Sequence, residues 1–271
     1  MADGMKIGIL GFGAIGQVLY KLIALHAPGV KVCAIVEQAE RHKLVRGLIA
    51  PETVLAASVQ ELATLGLDLM IECAGHKALK AAGSQVLESG VDLLVASVGA
   101  LADESIEAAL HRAARAGGAK VRIPSGALGG LDVLGAAKLA GLDSVVYSSS
   151  KAPRAWIGTA AEELVDLGGL SEATVFYTGN ARSAALTFPQ NANVAAAIAL
   201  AGIGFENTRV SLAADPAATG NRHRIHASGS FGEIDVSILG KTLPENPKTS
   251  MLAPYSLVRC LVNLNQSVVI A

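Results

Sequence analysis

Residues 5–24 read MKIGILGFGAIGQVLYKLIA, an apolar run set directly against Gly11, Gly13 and Gly16 and followed by a helical pattern. Three glycines in one turn mean backbone angles or close approaches that a side chain forbids. The segment Gly11-Phe12-Gly13-Ala14-Ile15-Gly16 fits G-x-G-x-x-G, placed between an expected strand and an expected helix. In that setting Gly11 serves the tight turn, Gly13 admits a pyrophosphate to the backbone, and Gly16 lets the helix pack on the sheet. The helix N-terminus adds unpaired N–H groups and a partial positive charge. Glycine triplets also occur in ordinary loops, so the context has to supply the rest. The next strand, VKVCAIVEQ, ends at Glu37, about 20 residues beyond the last glycine, where an acid accepts hydrogen bonds from ribose hydroxyls. A solvated strand-end carboxylate is the plain alternative at that position. Together these residues predict a nicotinamide dinucleotide site, with NAD preferred because a 2′-phosphate meets a like charge at Glu37. Arg41, His42 and Lys43 lie close enough to soften that repulsion, so the cofactor is read as NAD or NADP.

Outward from this turn, strand-like and helical runs alternate as far as about residue 124. KIGIL, VKVCAIV, VLAAS, LDLMIECA, DLLVASVGA and AKVRIPSG are separated by helices from Gly13 and near 39–49, 58–65, 77–89 and 103–116. Short, mostly apolar strands in βα repetition describe a parallel sheet covered on both faces. The fold class is therefore α/β, a Rossmann-type doubly wound sheet. After SGALGGLD the texture changes: VYSSSKAP, ATVFYTGN, TRVSLAADPA and NRHRIHASGSFGEIDVSIL read as polar-alternating strands, with a hairpin turn at GSFGE. Helical segments near 129–140, 159–168 and 184–200 are interspersed, which predicts a second α+β domain with an antiparallel sheet. The expected division is a dinucleotide-binding domain over 1–125 and a substrate and dimerisation domain over 126–249. A C-terminal helix within 250–271, announced by the Asn and Pro of NPKTS, is expected to pack back on the first domain.

Composition agrees with this plan and excludes others. A chain of 271 residues, 51% hydrophobic and with net charge -1, can bury the cores of two domains. It shows no concentrated Lys/Arg face of the kind that phosphate neutralisation needs, so no nucleic-acid partner is expected. Cys33, Cys73 and Cys260 are far apart in apolar sequence and lack metal-ligand spacing, so neither a disulfide framework nor a metal site is expected. The first strand begins almost at once, and no apolar run reaches the ~18 residues of a membrane span. A cytoplasmic protein with no membrane partner follows as an expectation.

The chemistry must come from residues near the nicotinamide end, and four places offer it. The loop Ile123–Asp132, with Ala127 among small residues, lets a flat ring approach the backbone or serves as an interdomain hinge. Gln190-Asn191-Ala192-Asn193-Val194 opens an Ala-rich helix, in which Asn191 suits the N-cap and Asn193 has its carboxamide available to another partner. In Asn221-Arg222-His223-Arg224-Ile225-His226-Ala227, strand alternation puts His223 inward with Ile225 and Ala227, while His226 lies with the arginines. An inward histidine is either a satisfied core residue or the group that titrates near neutrality which dehydrogenases commonly need. Finally, Lys151 and Arg154 in KAPRAWIGT, and Lys248 in NPKTS, are cations able to hold carboxylates, with solvated loop charge as the alternative. His76, in ECAGHKAL, borders the expected cofactor cleft.

With GFGAIG, IPSGALGGLD, KAPRAWIGT, FPQNANVAAAIALAG, NRHRIHASGSFG and NPKTS in view, the chain resembles the L-aspartate dehydrogenases along its whole length. That resemblance implies oxidation of L-aspartate to iminoaspartate with NAD or NADP, and amination of oxaloacetate with ammonia in reverse. It implies that the Ala127 backbone and the Asn193 side chain contact the nicotinamide portion, and that His223 is the active-site histidine. It also implies a role in supplying iminoaspartate toward NAD synthesis. One departure is Arg224, where the family often carries an acid; Arg224 faces away from His223. In the expected mechanism His223 removes a proton from the substrate ammonium, so oxidation improves as pH rises through the histidine pKa. Related two-domain enzymes of homoserine or dihydrodipicolinate type, and a non-catalytic nicotinamide-sensing protein, are the rival readings. A homodimer through an edge of the antiparallel sheet is expected.

Overall fold

A computed structural model describes residues 4–189, 193–243 and 246–269, the side chains of 246–248 excepted. The chain divides into two compact units, one made of residues up to 97, 104–124 and those from 254 onward, the other of 98–103 and 125–253.

The first unit is built on a parallel sheet of β1 (Met5–Leu10), β2 (Val30–Val36), β3 (Val54–Ala56), β4 (Leu69–Glu72), β5 (Asp92–Val95) and β6 (Val121–Arg122). Its order is β3-β2-β1-β4-β5-β6, so the winding reverses between β1 and β4. Helices α1 (Ala14–His26), α2 (His42–Arg46), α3 (His76–Glu88) and α4 (Glu104–Gly117) connect the strands. The apolar runs are explained by burial on both faces: Ile7, Ile9, Ile35, Leu69, Ile71 and Leu94 are all solvent-inaccessible. The C-terminal helix Leu252–Asn265 adds Leu257, Val258 and Leu261 to the same core. Two expected helices are shorter than the pattern suggests. The span 39–49 is a 3-10 turn followed by the five residues of α2, which stops at Gly47, and 58–65 contains only a 3-10 turn over Val59–Leu62.

In the second unit, α5 (Leu131–Ala140) leads into β7 (Leu142–Lys151), β8 (Thr174–Asn180), α6 (Ala181–Thr187), α7 (Asn193–Ala201), β9 (Arg209–Ala214), β10 (Asn221–Gly229) and β11 (Gly232–Gly240). The sheet order is β11-β10-β7-β9-β8. β10 and β11 form the expected hairpin, with Gly229 opposite Gly232 across a two-residue turn. All pairs are antiparallel except β7–β9, which runs parallel, so the sheet is mixed. The single helix expected over 184–200 is two helices. α6 gives way at Phe188 (φ -122, ψ 59), the residue preceding Pro189, where the proline ring disfavours helical backbone. The span 159–168 holds only a 3-10 turn over Ala160–Glu163, capped by the Thr159 hydroxyl. NPKTS forms a strand, β13 (Asn246–Ser250), paired with β12 (Thr242–Leu243); the helix beyond it begins at Leu252, with Pro254 in its first turn.

Candidate active site

In the first unit the glycine turn leaves β1 at the point where the sheet order reverses. Gly11 has φ +92, and a Cβ there would lie 2.5 Å from the Ala74 Cβ; a Cβ on Gly16 would lie 2.3 Å from the Gly11 carbonyl oxygen. Nothing stands within 4 Å of the Cβ position of Gly13, which faces open space. This turn borders a cleft of ≈ 680 Å³ lined by Gly11, Gly13, Glu37, Arg41, Ala74 and Lys77 among others. Phe12 is buried edge-on to Tyr20, and the N–H groups of Ala14 and Ile15 open α1. Glu37 stands where the sequence places it. Its Oε2 accepts from the Phe12 N–H (2.9 Å) and from Arg41 Nη1 (2.9 Å), and its Oε1 accepts from the Gln38 N–H (2.9 Å). The acid therefore secures the glycine turn and holds a guanidinium beside the ribose position. A dinucleotide fits these residues: the bare Gly13 backbone and the α1 N-terminus suit the pyrophosphate, and Glu37 suits the ribose.

The sequence reading missed Glu72, at the end of β4. It is fully buried, with Oε1 accepting from the N–H groups of Ala74 (2.7 Å) and Gly75 (2.7 Å) and from the Ser97 hydroxyl (2.9 Å), and Oε2 accepting from the Ser97 N–H (3.0 Å). Burial pushes its carboxyl above the usual carboxylate range, and the donors pull the other way. The result ties the loop after β4 to the loop after β5 and presses Ala74 against Gly11. In Glu72→Gln an amide NH₂ faces backbone donors. We expect a loss of roughly 1–3 kcal/mol of stability together with weaker NADH binding. Denaturant melts and fluorescence titration check both, and an unchanged midpoint with unchanged affinity removes the role.

In the second unit alternation along β7 buries Val145, Tyr147, Ser149 and Lys151, and along β10 it buries Asn221, His223, Ile225 and Ala227. His223 pairs across the strands with Ser149, so Tyr147 and Lys151 flank it on one face. The Tyr147 hydroxyl lies 2.7 Å from His223 Nδ1, and the two rings are 9° from parallel. Lys151 Nζ sits 5.0 Å from the centroid of the Trp156 indole. Trp156 is itself locked by Nε1 donating to the Ala213 carbonyl (3.1 Å) and by edge contacts with Phe176 and Phe188. Burial and the neighbouring Lys151 ammonium lower His223 to about 3, and burial lowers Lys151 to about 8. A dry face that already carries a lysine thus works against the expected titration of this histidine near neutrality. Tyr147, missed in the sequence, is pushed above the usual phenol range by burial.

The remaining expected residues are dispersed. Ala127 is buried next to Gly126 (φ +66), just ahead of α5. Asn193 opens α7, and its Oδ1 accepts from the Gly99 N–H (2.9 Å), which directs the amide nitrogen elsewhere. Arg154 is exposed in a 3-10 turn over Pro153–Ala155, apart from the buried Lys151. Arg224 is exposed and paired with Asp235, as its outward position requires. Asn191 and the side chain of Lys248 lie outside the described residues. His76 opens α3. Among the described residues no cluster of metal-ligating side chains occurs, and no helix is long and apolar enough to cross a membrane.

Comparison with known proteins gives a consistent set of likenesses. Residues 132–264 match the family model described as aspartate dehydrogenase, C-terminal, and residues 11–124 match the homoserine dehydrogenase NAD-binding domain. The chain is 45% identical to an L-aspartate dehydrogenase of Ralstonia pickettii over 96% of this chain and 97% of the relative. It is 42% identical to one of Cupriavidus taiwanensis over the same shares. Among solved structures, the aspartate dehydrogenase of Thermotoga maritima matches with TM-score 0.78 and 29% identity, covering 98% of this chain and 99% of that one.

Proposed function

This chain belongs to the L-aspartate dehydrogenase family, and we infer from that membership that it oxidises L-aspartate to iminoaspartate using NAD or NADP. The observation that carries the reading is the extent of the match, which takes in both the dinucleotide unit and the unit bearing His223. When bound, the nicotinamide supplies the acceptor for the electron pair that leaves Cα. The first unit grips the cofactor through the Gly11–Gly16 turn and Glu37, and we assign Ala127 and Asn193 to its nicotinamide end. Phe12, Ala14 and Ile15 contribute backbone to the same turn.

The second unit handles the amino acid. Only a neutral amine has the lone pair that becomes the C=N bond, so the substrate ammonium must lose a proton before oxidation. His223, uncharged across the physiological range, is the proposed active-site residue, contacting the substrate through its Nε2 edge. Arg154 and Lys248 are the proposed partners of the substrate carboxylates, with Lys151 buried beside the histidine. The same residues serve amination of oxaloacetate in reverse. We place the product in NAD biosynthesis and the protein in the cytoplasm, where its three free cysteines stay reduced.

A panel of L-aspartate, L-homoserine and dihydrodipicolinate, followed by nicotinamide absorbance with each cofactor, tests this directly. Aspartate should exceed homoserine by at least about 100-fold in kcat/KM, since a site built for a second carboxylate leaves charges unpaired against a hydroxyl in its place. Equal turnover of homoserine defeats the assignment. We further propose a homodimer through an edge of the five-stranded sheet, where β8 and β11 leave Val175 and Leu239 exposed. Light scattering at the mass of a single chain would remove that proposal.

A further inference from the structure

We propose that Tyr147 is the positioning residue for His223: its hydroxyl selects the one flip of the imidazole that carries Nε2, and not Cε1, on the edge offered to the substrate. The proposal deepens the aspartate-oxidation reading and rests on it. A histidine ring turns about its Cβ–Cγ bond with a broad, roughly two-fold preference, so the inward direction of a strand residue leaves two ring orientations open. In one flip Nδ1 and Cε1 lie toward a given neighbour and Nε2 lies on the opposite edge. In the other, Cδ2 and Nε2 lie toward that neighbour and Nε2 is withdrawn from the opposite edge. The residues directly across from His223 are Ser149 on β7 and Ile238 on β11, but among the described residues the ring's one hydrogen-bonding partner is the Tyr147 hydroxyl.

The phenol discriminates between the flips by distance. Its oxygen lies 2.7 Å from Nδ1. In the other flip a ring C–H takes that place, and carbon approaches oxygen no nearer than about 3.3 Å. The flipped ring therefore crowds the phenol and forfeits the hydrogen bond. The selection holds whichever group carries the hydrogen, because a phenol O–H donating to Nδ1 and an Nδ1–H donating to the phenol oxygen seat the ring alike.

Tyr147 can serve as a fixed reference because three strands hold it. It is solvent-inaccessible, its partner across on β10 is Ile225, and its partner on β9 is Val210, both buried. The phenol thus reaches His223 on the diagonal, with the two rings 9° from parallel and their centroids 6.1 Å apart. A side chain locked by packing in this way passes its own position on to the group that it bonds.

Tyr147→Phe keeps the ring and removes only the hydroxyl. It should lower kcat for aspartate by about 10–100-fold, the scale of a misaligned reacting group, and leave the dissociation constant of NADH unchanged. On the His223→Ala background the same substitution should cost less than about twofold, because a residue that acts through the imidazole has nothing left to position. Wild-type turnover in Tyr147→Phe overturns the proposal. So does an undiminished loss on the His223→Ala background, which is what a packing role alone would give. Independently of turnover, ¹⁵N-histidine NMR of the ligand-free protein identifies the His223 ring by the signals that vanish in His223→Ala. Its Nδ1 resonance should carry the shift of a hydrogen-bonded nitrogen and should move in Tyr147→Phe, while the other histidines stay in place. An Nδ1 resonance of a free ring nitrogen in the wild type overturns the proposal even if Tyr147→Phe fails to fold. A folded wild-type protein inert toward aspartate defeats the functional reading itself, a result distinct from any of these.

Discussion

Replacing His223 by alanine should lower kcat/KM for aspartate by about 10²–10³-fold and leave the dissociation constant of NADH within about twofold. The magnitude is that of one preorganised hydrogen-bond donor removed from a dry site. His223 is 2% exposed, stacked beside Tyr147 and flanked by Lys151, so its edge cannot be replaced by water without disturbing the whole face. Cofactor binding should be spared because His223 is not among the residues assigned to the cofactor, of which the Gly11–Gly16 turn and Glu37 belong to the other unit. His223→Gln, which keeps a donor, should recover part of the loss, whereas a role in packing alone would be served as well by His223→Leu. Steady-state kinetics on the three variants, with fluorescence titration of NADH, decide the matter. Unchanged turnover in His223→Ala makes the histidine structural.

The second large effect concerns cofactor choice. Glu37→Ser should move the ratio of kcat/KM with NADP to that with NAD by about 10–100-fold toward NADP. Two terms act together. A carboxylate that would face the 2′-phosphate is removed, and Arg41, now bound to Glu37 Oε2 at 2.9 Å, is released to pair with that phosphate. A charge-assisted hydrogen bond contributes about 1.5–3 kcal/mol, which corresponds to the factor given. The substitution also removes the acceptor of the Phe12 N–H, so affinity for NAD should fall as well. If the ratio of the two cofactors stays where it was, Glu37 serves only to brace the glycine turn. Where the ratio does move, Arg41→Ala on the Glu37→Ser background should abolish most of the gain, since the two residues act on the same phosphate.

Much of this site was legible without coordinates because its information is local. The glycine turn and Glu37 are read from spacing within two successive strands, and the cleft they border is found where the winding reverses. The inward direction of His223 follows from a two-residue period that burial enforces. The same period read along VYSSSKAP places Tyr147 and Lys151 on one face, a signal overlooked because Lys151 reads as a loop cation rather than as the last residue of a buried strand. Glu72 gave no signal at all: its partner Ser97 lies beyond α3, brought alongside only by the pairing of β4 with β5.

By itself, then, the sequence determined the doubly wound class, a glycine turn between strand and helix with an acid at the end of the next strand, the family, and which strand residues face inward, since each depends on near neighbours or on a period. Tertiary structure alone decided which strands are neighbours: that β10 lies against β7 and β7 against a parallel β9, and that a phenol, an imidazole and an ammonium share one dry face. Their basicities are properties of that shared burial. A residue's type sets its ordinary pKa, but the water withdrawn from it and the charges set beside it are fixed only when distant strands pair.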